Sequence, residues 1–155
     1  MYPSSTRRRG QAGFTLIELM AAVLIIGILL AIAIPTFLGA RTRAQDGVAK
    51  ASLRNALTAA NVLYTDTQSY DGADATAMAD AEGSLTYVAS PTASTAPKQL
   101  SVLAATDAWS AAALSESGVC FLITTTSAGA VSYGSADSGA CTGARASSDA
   151  SAANW

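Results

Sequence analysis

The sequence predicts an α+β chain: a long N-terminal α-helix, membrane-spanning in its first half, packed on a small antiparallel β-sheet. Three observations carry this. Leu19 to Ala40 form 22 consecutive residues without a charge. Leu53, Leu57, Ala60 and Tyr64 recur at spacings of 4, 3 and 4, one stripe of a 3.6-period helix. From Gln99 onward, short β-type segments alternate with turn residues.

Each element follows in order. Residues 1–13 are short, polar and basic, with Arg7, Arg8 and Arg9, and end in Gly13. Residues 14–40 are the apolar span. At helical rise the uncharged run covers about 33 Å, enough for a hydrocarbon core of about 30 Å. The three leading arginines place the N-terminus on the cytoplasmic side, against Arg41 and Arg43 at the other flank. Residues 41–64 continue the helix in amphipathic form. Asp46 and Lys50 stand at i,i+4 spacing for a side-chain pair, and Gly47 is the weak point.

Residues 65–142 read as a globular head. Asp71-Gly72 marks a turn, and a short helix is expected over Ala75 to Glu82. Asp66, Asp71, Asp74 and Asp80 lack the alternating pattern of an EF-hand loop and read as solvated acids. The Ser/Thr/Pro/Ala loop from Ser90 to Pro97 has a composition open to O-glycosylation. Strands are expected over Leu100–Ala105, Trp109–Leu114, Val119–Thr126 and Ala130–Tyr133, joined as a meander. Val119, Phe121, Ile123 and Thr125 share one face, which is expected to meet the Leu53–Tyr64 stripe. Residues 143–155, rich in Ala and Ser, read as a flexible tail.

Composition excludes several function classes. The chain has no histidine, and so lacks the commonest general base and transition-metal ligand. It has no G-x-S-x-G elbow, Walker loop or paired-acid framework. No enzyme activity, metal or cofactor is expected. Net charge is −2, and losing the three leader arginines leaves six basic and eleven acidic residues, or −5. No basic patch with interleaved aromatics marks a specific nucleic-acid site. Cys120 and Cys141, 21 positions apart, read as a disulfide in an exported chain, with two unpaired small hydrophobes as the alternative.

Two residues do not suit an ordinary anchor. Glu18 lies inside the apolar stretch, where insertion scales put an acid at the bilayer centre at roughly 2.5–3.5 kcal/mol unfavourable. Pro35 removes a helix hydrogen bond and favours a kink. From its position alone, Glu18 could also snorkel to the cytoplasmic interface.

The stretch Gly13-Phe14-Thr15-Leu16-Ile17-Glu18-Leu19-Met20, continued through Ile26-Gly27-Ile28-Leu29 and Ala33-Ile34-Pro35 to about Tyr64, resembles the class III signal and helix of type IV prepilins and pseudopilins. The resemblance covers roughly the first 40% of the chain. It implies the pilin fold. It implies a prepilin leader over 1–13, cut by prepilin peptidase between Gly13 and Phe14, with Phe14 then N-methylated. The new amine would lie four residues from Glu18, one helical turn. In a filament a neighbour's amine could neutralise Glu18, because a buried charge is tolerable when paired and costly when alone. The resemblance also implies that the helix between Gly27 and Pro35 can lose regular hydrogen bonding in assembled filaments. It places the Cys120–Cys141 loop where many pilins close a C-terminal disulfide.

The expected function is a structural subunit of a type IV pilus, serving adhesion, twitching motility or DNA uptake. A pseudopilin or minor pilin of a type II secretion or competence system is the nearest alternative, and a non-polymerising bitopic binding protein a further one. A secretory signal cut after Ala31-Ile32-Ala33 leaves Phe14 and Glu18 unexplained, and the apolar run exceeds the usual 7–15 residues of such a region. Expected partners are further copies in a helical filament, prepilin peptidase and the inner-membrane assembly machinery. The expected location is the inner membrane before assembly and the cell surface after it.

Overall fold

The computed structural model describes residues 13–155, so the arginine leader lies outside the described residues. Helix α1 spans Leu16–Thr67. The chain divides into two compact units, one ending at Gly39 and the other covering Ala40–Trp155.

In the first unit the side chains of α1 are exposed around the whole helix, from Leu16 through Leu38. A helix that is apolar on every side and buried on none has the character of a membrane span, and α1 is long and apolar enough to cross one.

In the second unit, α2 spans Ala75–Ala81 and α3 spans Gly143–Asp149. Five strands, β1 (Thr86–Ala89), β2 (Gln99–Ala105), β3 (Ala108–Leu114), β4 (Cys120–Thr126) and β5 (Val131–Ala136), form one sheet in that order. β2 to β5 are an antiparallel meander, as tight turns between strands dictate. β1 pairs with β2 in parallel, Thr86 opposite Gln99, across the Ser90–Pro97 loop.

The helix face on the sheet is built largely from alanine. Ala49, Leu53, Ala56, Ala59 and Ala60 are buried, while Leu57 and Tyr64 only flank the core. Small side chains let a helix approach a sheet closely. The bulk comes from the strands: Leu100, Trp109 and Ile123 are fully buried, with Phe121 beside them. The Trp109 indole N–H donates to the Ala73 carbonyl at 3.2 Å, so the largest core side chain leaves no unpaired donor. Burial and nearby Glu82 push the Tyr87 hydroxyl well above the ordinary tyrosine range.

The expected Asp46–Lys50 pair does not form. Asp46 instead accepts from the Ser115 hydroxyl at 2.7 Å and from that of Ser117, clasping the β3–β4 turn to the helix. Lys50 Nζ lies 4.7 Å over the Phe121 ring. The buried Ser115 and half-buried Ser117 hydroxyls hold the carboxylate, while the half-buried Lys50 is taken up by the aromatic ring.

Residues 143–155 differ from the frayed tail the sequence suggests. Thr142 caps α3 through its hydroxyl, which accepts from the Arg145 N–H at 3.2 Å. Gly143 lies directly against β2: a Cβ there would stand 2.6 Å from Leu103 N. Ala146 is fully buried over the second, smaller core, beside Leu122 and the Cys120–Cys141 disulfide. The chain then pairs with the outer edge of β5 through Tyr133 and Ala152. It ends the described residues at Trp155, whose indole N–H donates to the Leu122 and Gly134 carbonyls.

Candidate assembly site at the start of the long helix

The site residues cluster where α1 begins. Gly13, Phe14 and Thr15 precede the helix and are exposed, Phe14 at 87%. The Gly13–Phe14 peptide bond lies outside regular structure, where a protease can engage it without unwinding a helix.

Thr15 is the N-cap. Its hydroxyl accepts from the Glu18 N–H at 3.3 Å. Glu18 replies: its Oε2 accepts from the Thr15 N–H at 2.9 Å and from the Thr15 hydroxyl at 2.8 Å. This is a capping box, in which two residues three apart satisfy each other's unpaired backbone donors. The sequence reading singled out Glu18 for its charge and missed Thr15. The signal was present as Thr15-x-x-Glu18 ahead of an apolar run.

Among the described residues of the first unit, every side chain other than Glu18 is uncharged. The carboxylate therefore has hydrogen-bond donors from its own chain but no described cation among them. Among the described residues it has the partners to start a helix and no counter-charge of the kind that would make it inexpensive in an apolar surround.

Gly27 and Pro35 both lie within α1, which runs past them. A Cβ at Gly27 would meet nothing within 4 Å. The Thr36 hydroxyl donates to the Ile32 carbonyl at 3.2 Å, one position past the Ala31 carbonyl that Pro35 leaves without its helical donor.

The remaining singled-out residues lie in the second unit, apart from this cluster. Cys120 and Cys141 form a disulfide, both sulfurs buried. Asp74 caps α2 by accepting from Thr76 N and Ala77 N, each at 2.9 Å, and Asp71 accepts from the Thr106 hydroxyl. These acids have structural duties. Among the described residues, no three His, Cys, Asp or Glu side chains come together as a metal site.

Comparison with known proteins bears on the same segment. Residues 8–34 match the family model of the prokaryotic N-terminal methylation motif. The chain is similar to the type IV major pilin protein PilA of Myxococcus xanthus, 47% identical over 58 residues, or 37% of this chain and 26% of that one. It is similar to the type IV wide pilus major component PilA4 of Thermus thermophilus, 45% identical over 62 residues, 40% of this chain and 47% of that one. It is also similar to the type II secretion system core protein G of Pseudomonas aeruginosa, 38% identical over 64 residues, 41% of this chain and 45% of that one. The N-terminal segment carries the methylation motif of prokaryotic prepilins, and over it the chain is similar to type IV pilins and to a type II secretion core protein.

As a pilin-like chain it shares only part of its length with these relatives: the matches span between 26% and 47% of them. No solved structure matches it. The long helix packed on a mostly antiparallel five-stranded sheet is nonetheless a pilin-like α+β arrangement.

Proposed function

We propose that this chain is a structural subunit of a type IV pilus. It is inserted in the inner membrane by α1, cut between Gly13 and Phe14 by prepilin peptidase, N-methylated at Phe14 and polymerised into an extracellular filament for adhesion, motility or DNA uptake. The supporting observation is Glu18: one acid near the start of an otherwise uncharged span, bonded, among the described residues, to Thr15. In the filament, the Phe14 amine of a neighbouring copy would supply the missing charge. An ion pair formed in an apolar surround is favourable against leaving the acid alone, so the same contact drives addition of a subunit and fixes its axial position. Between Gly27 and Pro35 the helix would give up regular hydrogen bonding on assembly. Glycine carries weak helix propensity and proline one missing donor, which makes that stretch the easiest to open.

A second reading rests on the similarity to the type II secretion core protein G: a pseudopilin building a short secretion filament. Both readings require the same processing and the same acid.

Mass spectrometry of the mature N-terminus tests the processing step. An N-methylated Phe14 is the expected result, and an intact arginine leader on the exported chain contradicts it. Electron microscopy of sheared surface material then separates the two readings, long fibres for a pilus subunit and none for a pseudopilin.

A further inference from the structure

In the head, α1 carries three different stripes. Ala49, Leu53, Ala56 and Ala60 face the sheet. A second stripe borders two open grooves, of about 270 and 370 Å³. Ala44, Gln45 and Val48 line the first; Thr58, Ala59 and Val62 line the second. Each trio member recurs fourteen residues on, so the grooves lie on one side of the helix, about 21 Å apart at helical rise. Val48 and Val62 are 42% and 56% exposed there, the large apolar side chains that α1 leaves uncovered in this unit. Each groove also has an acid in its far wall. Glu116, on the β3–β4 turn, accepts from Gln45 at 3.0 Å, with Arg41 near it. Glu82, at the end of α2, is held by Ser84.

The third stripe is cationic. Arg43, Lys50 and Arg54 recur at spacings of 7 and 4, roughly 120° around the helix from both the core stripe and the grooves, at about 100° per residue. Arg54 Cζ stacks 5.0 Å over the Trp155 ring, and Lys50 lies over Phe121. Stacking holds these cations in place without neutralising them. The ion pair found among the described residues is Arg145–Asp149, on a different element.

We propose that these two flanks are the two halves of one contact between heads: the Arg43–Arg54 stripe of one copy docks on the grooved flank of the next, its guanidinium groups meeting Glu82 and Glu116 and its aromatic edge covering Val62. The occupant is a second copy because the complementary charges and the uncovered valines belong to the same chain. A contact between two different patches of one subunit is heterologous, and repeats as an open filament when its rotation does not close. This rests on the filament reading and adds to it a head-to-head interface independent of Glu18.

The test uses the full chain, expressed with a prepilin peptidase and pilus machinery, with sheared filaments measured by immunoblot and microscopy. Arg43→Glu with Arg54→Glu, and separately Glu82→Lys with Glu116→Lys, are each expected to lower filament yield about ten-fold or more. All four changes together invert both flanks and are expected to restore yield to within about three-fold of the parent. Parent-level yield from either reversed pair overturns the proposal. So does failure of the four-site chain to recover while its melting curve in detergent matches the parent's. Should a reversed chain fail to fold, Glu82→Gln with Glu116→Gln replaces it. Yield is then expected to fall several-fold and filament dissociation to lose part of its salt dependence; no change in either overturns the proposal. A parent chain that is processed but forms no filament contradicts the filament reading itself, a separately visible outcome.

Discussion

Thr15 and Glu18 close a capping box at the first turn of the long helix, so the residue singled out for its charge also has a local structural duty. The two duties differ in chemistry. Capping needs an acceptor three residues after the cap, which Gln supplies as well as Glu. Neutralising a neighbour's amine needs the negative charge.

Thr15→Ala removes the cap and leaves the charge. The expected cost is about 1 kcal/mol at the helix start. Hydrogen exchange of the amides at 16–19 in detergent should quicken about five-fold, with processing at Gly13–Phe14 retained.

Trp155→Phe keeps the ring against Phe121 and Tyr133 but removes the indole N–H that bonds two strand carbonyls. The head should lose roughly 1–2 kcal/mol, seen as a lower thermal midpoint of the detergent-solubilised chain. Tyr133 amide exchange should rise with it, because Ala152 covers that strand edge only while the segment is anchored.

Gly143→Ala puts a Cβ 2.6 Å from Leu103 N and 2.7 Å from Val102 C, both backbone atoms that cannot swing aside. About 1–3 kcal/mol of destabilisation is expected from the forced separation of α3 and β2, read from denaturant unfolding. Gly129→Ala is the contrast. It meets no neighbour, but its positive φ of 80° disfavours a side chain, so a smaller loss of about 1 kcal/mol is expected.

Replacing both Cys120 and Cys141 by Ala frees the segment that leads into α3. Loss of the cross-link should cost about 3 kcal/mol, measured as a shifted denaturation midpoint that added reductant does not move further.

Acid should weaken the head through Glu82 and Asp149. Hydrogen bonds from Ser84 lower the Glu82 pKa; those from Ser148 and then Arg145 lower that of Asp149. A depressed folded pKa gives stability that is present above the unfolded value of about 4 and lost as pH falls through the folded one. Thermal midpoints should therefore hold from pH 7 to 5 and drop below about pH 4. Ser84→Ala should flatten the part due to Glu82.

Much of this arrangement is legible in the sequence, and the exceptions have physical causes. The long helix, α2 and the meander follow from periodicity and turn chemistry. β1 is only four residues long and gains its partner by a parallel crossover, so no hairpin turn announces it. α3 is hidden because Ala and Ser carry no amphipathic signal. Its cues were Thr142 as a cap and a glycine small enough to touch a strand. The helix stripe was displaced by about one position, since Leu57 and Tyr64 outshine in hydrophobicity the alanines that actually face the sheet. At the site, charge placement pointed to Glu18, but a residue read for one role conceals a second, and Thr15 went unnoticed.

The most direct measurement is filament yield from Glu18→Gln, compared with the parent and with Glu18→Ala in cells that process all three to Phe14. Glutamine keeps the helix cap and removes only the charge. If the acid waits for a neighbour's amine, the glutamine chain is membrane-inserted and processed yet yields as few filaments as the alanine chain. Parent-level filaments from Glu18→Gln would show that capping alone is the residue's task, and the electrostatic account of assembly would be wrong.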